Sequence, residues 1–184
     1  MAGLPHYNNS QASSNKYEPM YNNLFEVSIL PPAAVSGGQI LLEHVNTISG
    51  LNNEKGTDAM EQKYKWSSRS YANATPSSTT VDLTIQFSLN LNDGNELYVY
   101  KTLRDWKRQI WNPLTGEMGL KKDYVGQIIV TNYNRVGDIF WERTFYDAFP
   151  TGDMVAGDSL GYEDNGPATL DMTFRADWWS ETNV

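Results

Sequence analysis

Chemistry in this chain would have to rest on very few side chains. It contains two histidines and no cysteine. The missing cysteine removes disulfides, thiolate metal sites and thiol nucleophiles together. His6 lies in an Asn- and Ser-rich N-terminal stretch, a poor place for a preorganised catalyst. His44 sits within Leu41-Leu42-Glu43-His44-Val45-Asn46-Thr47-Ile48, where it reads as a structural histidine satisfied by its neighbours. No G-x-S-x-G elbow, phosphate loop, G-x-G-x-x-G or H-E-x-x-H is present. Asp153, Asp158, Glu163 and Asp164 could offer oxygen ligands to Ca²⁺, but they lack the D-x-[DN]-x-[DN]-G spacing. No pair of carboxylates is singled out for glycoside hydrolysis. The expectation is therefore no enzyme, no cofactor and no metal. Six Trp and 11 Tyr could build a sugar-binding platform, which would require Trp66, Trp141 and Trp178 to face solvent. Most of these aromatics fall at core-facing positions of the expected strands and helix, which favours packing and leaves a carbohydrate-binding β-sandwich as a distant alternative.

The composition sets the frame for those residues. A length of 184 residues, with 40% hydrophobic and 20% charged, suits one globular domain with a sizeable core. Residues 1–17 lack a basic start and an apolar segment, so no signal peptide is expected there. The net charge of -8 argues against holding nucleic acid by counterion release, which needs a basic face. The charge is uneven. Gly94–Lys122 carries six basic and three acidic residues, whereas Asp147–Val184 carries eight acidic residues and one Arg. These two regions could meet within one chain or between chains.

The elements that must position these residues are mostly strands. Residues 1–20 read as a flexible arm and 21–184 as the folded domain. Asn23–Leu30 is a strand ended by Pro31-Pro32, and Gln39–Ser49 is a second. Glu61–Tyr71 looks extended, with Tyr64 and Trp66 on one face. Thr80–Leu91 alternates without a break: Val81, Leu83, Ile85, Phe87, Leu89 and Leu91 against Thr80, Asp82, Thr84, Gln86, Ser88 and Asn90. At ~3.3 Å per residue it would be about 40 Å long. A helix follows, with Asp93 and Glu96 as a capping box and Leu97, Tyr100, Leu103, Trp106 and Ile110 as its apolar stripe. Gly126–Thr131 and Asp138–Phe145 form a hairpin, Phe149–Gly152 a turn, and Thr169–Trp178 a last alternating strand.

One helix cannot cover a sheet with strands this long, so the expected fold is mainly β. It is a β-sandwich or half-barrel with one α-helix across an opening. The outer row of the Thr80–Leu91 strand is small, polar and nearly uncharged, and the strand carries neither Pro nor Lys. Protected monomers usually blunt long edges with such residues, so this strand is expected to need partners, which a closed ring supplies. Its polar row would then line a wetted lumen.

These residues also resemble a known family, the tail tube proteins of contractile-tailed (myovirus-type) bacteriophages. The similarity runs from about Asn23 to Glu181. It rests on Asn23-Leu24-Phe25-Glu26-Val27, on Ile48-Ser49-Gly50-Leu51, on the Tyr64–Tyr71 segment and on the Thr80–Asp93 strand–helix junction. Its clearest part is Phe149-Pro150-Thr151-Gly152, an acidic loop, then Leu170 to Trp179 with the closing aromatic pair. The resemblance implies hexameric rings that stack into a hollow tube, with sheets of neighbouring subunits joining into a continuous barrel. It implies a virion tail assembled in the host cytoplasm. The implied partners are further copies, a contractile sheath, baseplate and tube-initiator proteins, and a tail terminator. DNA would pass through the lumen without specific binding, and there would be no membrane anchor. A loop between early strands would touch the adjacent ring, which places Asn53, Glu54, Lys55, Tyr64, Trp66 and Tyr71 at that contact. Thr80, Asp82, Thr84, Gln86, Ser88 and Asn90 would face the lumen or a neighbouring subunit. A tube subunit of a phage-derived contractile injection system or tailocin shares all of this and is the near alternative.

Overall fold

The protein is described by a computed structural model covering residues 20–35, 44–51, 59–72, 79–89, 97–156 and 166–183. The strands are β1 (Phe25–Leu30), β2 (Val45–Ser49), β3 (Ala59–Lys63), β4 (Ser68–Ala72) and β5 (Val81–Ser88), followed by β6 (Gly126–Tyr133), β7 (Ile139–Pro150), β8 (Val155–Ala156), β9 (Thr169–Ala176) and β10 (Trp178–Asn183). Two helices, α1 (Tyr98–Ile110) and α2 (Lys121–Tyr124), fall between β5 and β6. Strand order is β1-β6-β7-β9-β5-β2, with β10 paired to β7 and β8 paired to β9.

β7 belongs to two layers. Its first part lies between β6 and β10, and its last residues, Phe149 and Pro150, pair with Arg175 and Phe174 of β9. The bend falls at Asp147, a non-glycine residue at φ 52, a conformation that Asp tolerates. The return crossing lies beside it: β9 ends at Ala176, the Asp177 amide donates to the Tyr146 carbonyl at 3.2 Å, and β10 runs back along β7. The sheet thus folds into two layers, β1-β6-β7-β10 and β2-β5-β9.

The core lies between the layers. Leu83, Ile85 and Phe87 of β5 and Leu170, Met172 and Phe174 of β9 are buried, as are Val27, Ile29, Ile128, Val130 and Phe145 of the other layer. α1 adds Val99, Leu103 and Trp106. The Trp106 ring lies 5.5 Å from that of Phe174 at a tilted angle, and its Nε1–H donates to the Tyr124 carbonyl at 2.6 Å. Indole buries well when its one donor is satisfied. Gly126 makes room for this ring, since a Cβ there would come within 2.7 Å of it. Lys107 and Arg108 in the last turn suit the negative end of the helix dipole.

Several expectations change. The Thr80–Leu91 strand is the eight-residue β5; Asn90, Leu91 and the Asp93–Glu96 cap lie outside the described residues. More importantly, β5 is no edge: it pairs along its length with β9 on one side and, over Thr84–Phe87, with β2 on the other. Its lack of Lys and Pro reflects an interior position, where Pro would remove a ladder bond. Glu61–Tyr71 is not one strand but a hairpin, β3–β4, whose turn is closed by the Tyr64 amide on the Ser67 carbonyl at 2.6 Å. The expected Phe149–Gly152 turn is strand as far as Pro150, and the last strand breaks at Asp177 into β9 and β10. The α1 stripe is Val99, Thr102, Leu103 and Trp106, while Leu97 takes a left-handed conformation ahead of the helix.

Candidate assembly surfaces

Three surfaces stand out, and none resembles a catalytic cleft. Among the described residues, no three His, Cys, Asp or Glu come together as a metal cluster. His44 is half-buried, with its ring 6.3 Å from that of Tyr98.

The first surface is the outward face of the β2-β5-β9 layer. Antiparallel pairing sets Asp82 opposite Arg175, Thr84 opposite Thr173, Gln86 opposite Asp171 and Ser88 opposite Thr169. Residues in direct register share a face, so two polar rows lie side by side. Arg175 donates from Nε and Nη2 to the two Asp82 oxygens at 2.7 and 2.9 Å, which raises its pKa further. The Thr84 and Thr173 hydroxyls are 3.4 Å apart. A third row comes from β2: Ser88 donates to Asn46 Oδ1 at 2.7 Å, and Ser49 donates to the Thr84 carbonyl. Gly50 closes that edge at φ 83, where a Cβ would collide with the Asp82 carbonyl oxygen. Thr80 lies just before β5. The described part of the row expected over 80–90 is therefore one of three rows in a larger polar platform. The sequence reading missed its β9 and β2 members. Alternation in 169–175 was visible, but which strand lies beside which is a long-range fact.

The second surface is the β3–β4 hairpin. All ten of its strand residues are exposed, and among the described residues it pairs with no other strand. Met60 and Tyr71 are cross-strand partners, and Tyr64 and Trp66 occupy the turn. Trp66 is 89% exposed, with the Lys65 ammonium 5.4 Å from its ring centre. An isolated two-stranded hairpin is marginal in water. Asn53, Glu54 and Lys55 lie outside the described residues.

The third surface is the connector after α1. Trp111, Leu114, Met118 and Leu120 are exposed. It is a tight loop: the Asn112 amide donates to Glu117, Gly116 to Asn112 and Gly119 to Ile110, all at 2.8–3.0 Å. Beyond it, Lys121 pairs with Asp177 at the crossing of the two layers, and that hydrogen bond raises the Lys121 pKa. The basic and acidic regions of the sequence thus meet, at this point, within one chain.

Of the three rings a sugar platform would use, Trp66 faces solvent and Trp178 is about half exposed, but Trp178 and Trp141 are engaged by neighbours. Trp178 stacks on Tyr146 at 3.9 Å, and Trp141 lies under the Arg143 guanidinium at 4.1 Å.

No protein-family model and no curated protein sequence matches the chain. Solved structures do. The anti-feeding prophage cap, described as the AFP tube terminating cap, superposes with a TM-score of 0.63 at 14% identity, covering 94% of this chain and 98% of that one. A chain of the sheath–tube complex of the extracellular contractile injection system PVC, in its extended state, gives 0.62 at 18% identity, covering 95% and 98%. A chain of the PVC sheath/tube terminator gives 0.63 at 18%, covering 91% and 99%. The fold is that of these tube-associated proteins over nearly the whole of both chains.

Proposed function

We propose that this chain is a structural subunit of a tail tube, forming hexameric rings that stack into a hollow conduit, and that it carries out no reaction. The observation that supports this most is the near-complete mutual coverage with the AFP cap and the PVC tube-complex chains. In this reading residues 21–184 are the tube domain and 1–20 an arm. The polar β2-β5-β9 face, with Thr80, Asp82, Thr84, Gln86 and Ser88, lines the lumen or a subunit boundary together with Asn90. The β3–β4 hairpin, with Tyr64, Trp66 and Tyr71, contacts the adjacent ring together with Asn53, Glu54 and Lys55. Sheath, baseplate, tube-initiator and terminator proteins are the partners, with assembly in the host cytoplasm into a virion tail. DNA passes through without specific binding.

A second reading has specific support: the two PVC neighbours named above belong to an extracellular contractile injection system, so the same ring and tube could serve such a device instead of a phage tail. Negative-stain microscopy of the purified protein tests what both share. Rings or tubes of uniform bore are expected. A strictly monomeric particle at high concentration overturns the proposal.

A further inference from the structure

The polar platform holds an electrostatic detail that goes beyond the tube reading and rests on it. Among the described residues of β2, β5 and β9, the outward rows carry one cation, Arg175, and two carboxylates, Asp82 and Asp171, amid hydroxyl and amide side chains. A guanidinium presents a planar fork of N–H donors that matches a phosphate as well as a carboxylate. Left bare on a surface that a polyanion passes, it would be one phosphate clamp per subunit, repeated in every copy of the assembly.

Here one edge of that fork is already occupied. Nε and Nη2 of Arg175 go to the two oxygens of Asp82 at 2.7 and 2.9 Å. Asp82 stands directly opposite Arg175 in the β5–β9 ladder, so the backbone supplies the alignment. Both side chains remain about half exposed. We propose that Asp82 masks Arg175, taking its Nε–Nη2 edge and offsetting its charge so that this face does not hold a passing polyanion.

The test compares the wild-type chain with Asp82→Asn, Arg175→Gln, the double variant and Asp171→Asn. Each is imaged by negative stain and titrated with a short fluorescent single-stranded oligodeoxynucleotide. Asp171→Asn removes the same charge from the same face without uncovering the guanidinium. Asp82→Asn is expected to bind roughly tenfold tighter at low salt, with a salt slope steeper by about one. Arg175→Gln, the double variant and Asp171→Asn are expected to stay near wild type. The mask is overturned if Asp82→Asn binds no tighter than Asp171→Asn, or if the double variant binds as Asp82→Asn does. Failure of the tube reading shows separately, as wild-type images without rings or tubes, and the binding comparison can still be made on the soluble chain.

Discussion

At the residue scale, the side chains that matter hold strands together. Arg143 faces the core side of β7, opposite Val130, and is only 4% exposed. It lies on Trp141 and donates from Nη2 to Asn132 Oδ1 at 3.2 Å, with Glu181 of β10 across from it in register. Burial lowers its pKa. Removing one partner of such a group leaves the others buried without it, so Arg143→Ala is expected to cost about 2–4 kcal/mol in urea unfolding. Arg143→Lys should not rescue it, because an ammonium cannot lie flat on the indole. Tyr133 is a second case, donating to Glu26 Oε2 at 2.5 Å and tying β6 to edge strand β1. That bond, then burial, raises the Tyr133 pKa. A raised pKa contributes stability that is fully present below the ordinary tyrosine range and lost as pH rises through the folded value. Wild-type stability should therefore fall in strong alkali by an increment that Tyr133→Phe lacks. Equal alkaline slopes for the two proteins would refute this.

At the scale of elements, β5 and the β3–β4 hairpin teach opposite lessons. Alternation in 81–88 named both faces of β5, and burial follows it residue by residue. Alternation says nothing about neighbours, so a strand that looked like a needy edge lies between β2 and β9. In 61–71 the same kind of pattern concealed a turn at Tyr64–Ser67, because no Gly or Pro marks it. A fully exposed hairpin contributes little to its own subunit. Trp66→Ser is expected to change unfolding free energy by less than about 0.5 kcal/mol and to shorten assembled tubes in micrographs. Tubes of unchanged length would remove the hairpin from the ring-to-ring contact.

For the whole molecule, stability and assembly share one core. Phe174 is fully buried, faces Leu83 across the ladder and meets Trp106 of α1. Phe174→Ala should cost about 3–5 kcal/mol, a large share of the ~5–15 kcal/mol typical of a domain. Calorimetry should show a lower Tm and microscopy fewer assemblies. A variant that unfolds at the wild-type temperature would mean that the Phe174 ring is not part of the core that holds the fold.

Taken alone, the sequence determined the class of the protein: mainly β, one long helix, little catalytic equipment, and the inward rows of β5 and β9. Those follow from local chemistry, since side-chain period and residue type are properties of a few neighbouring positions. The partner of each strand, the crossing at Asp147 and Asp177, and the edge of Arg175 taken by Asp82 were decided only by tertiary structure. Asp82 and Arg175 are 93 positions apart, and no local pattern can carry a register across that distance. It is fixed by the pairing of β5 with β9 with both apolar rows turned into the core, which brings the polar rows into line on the other side.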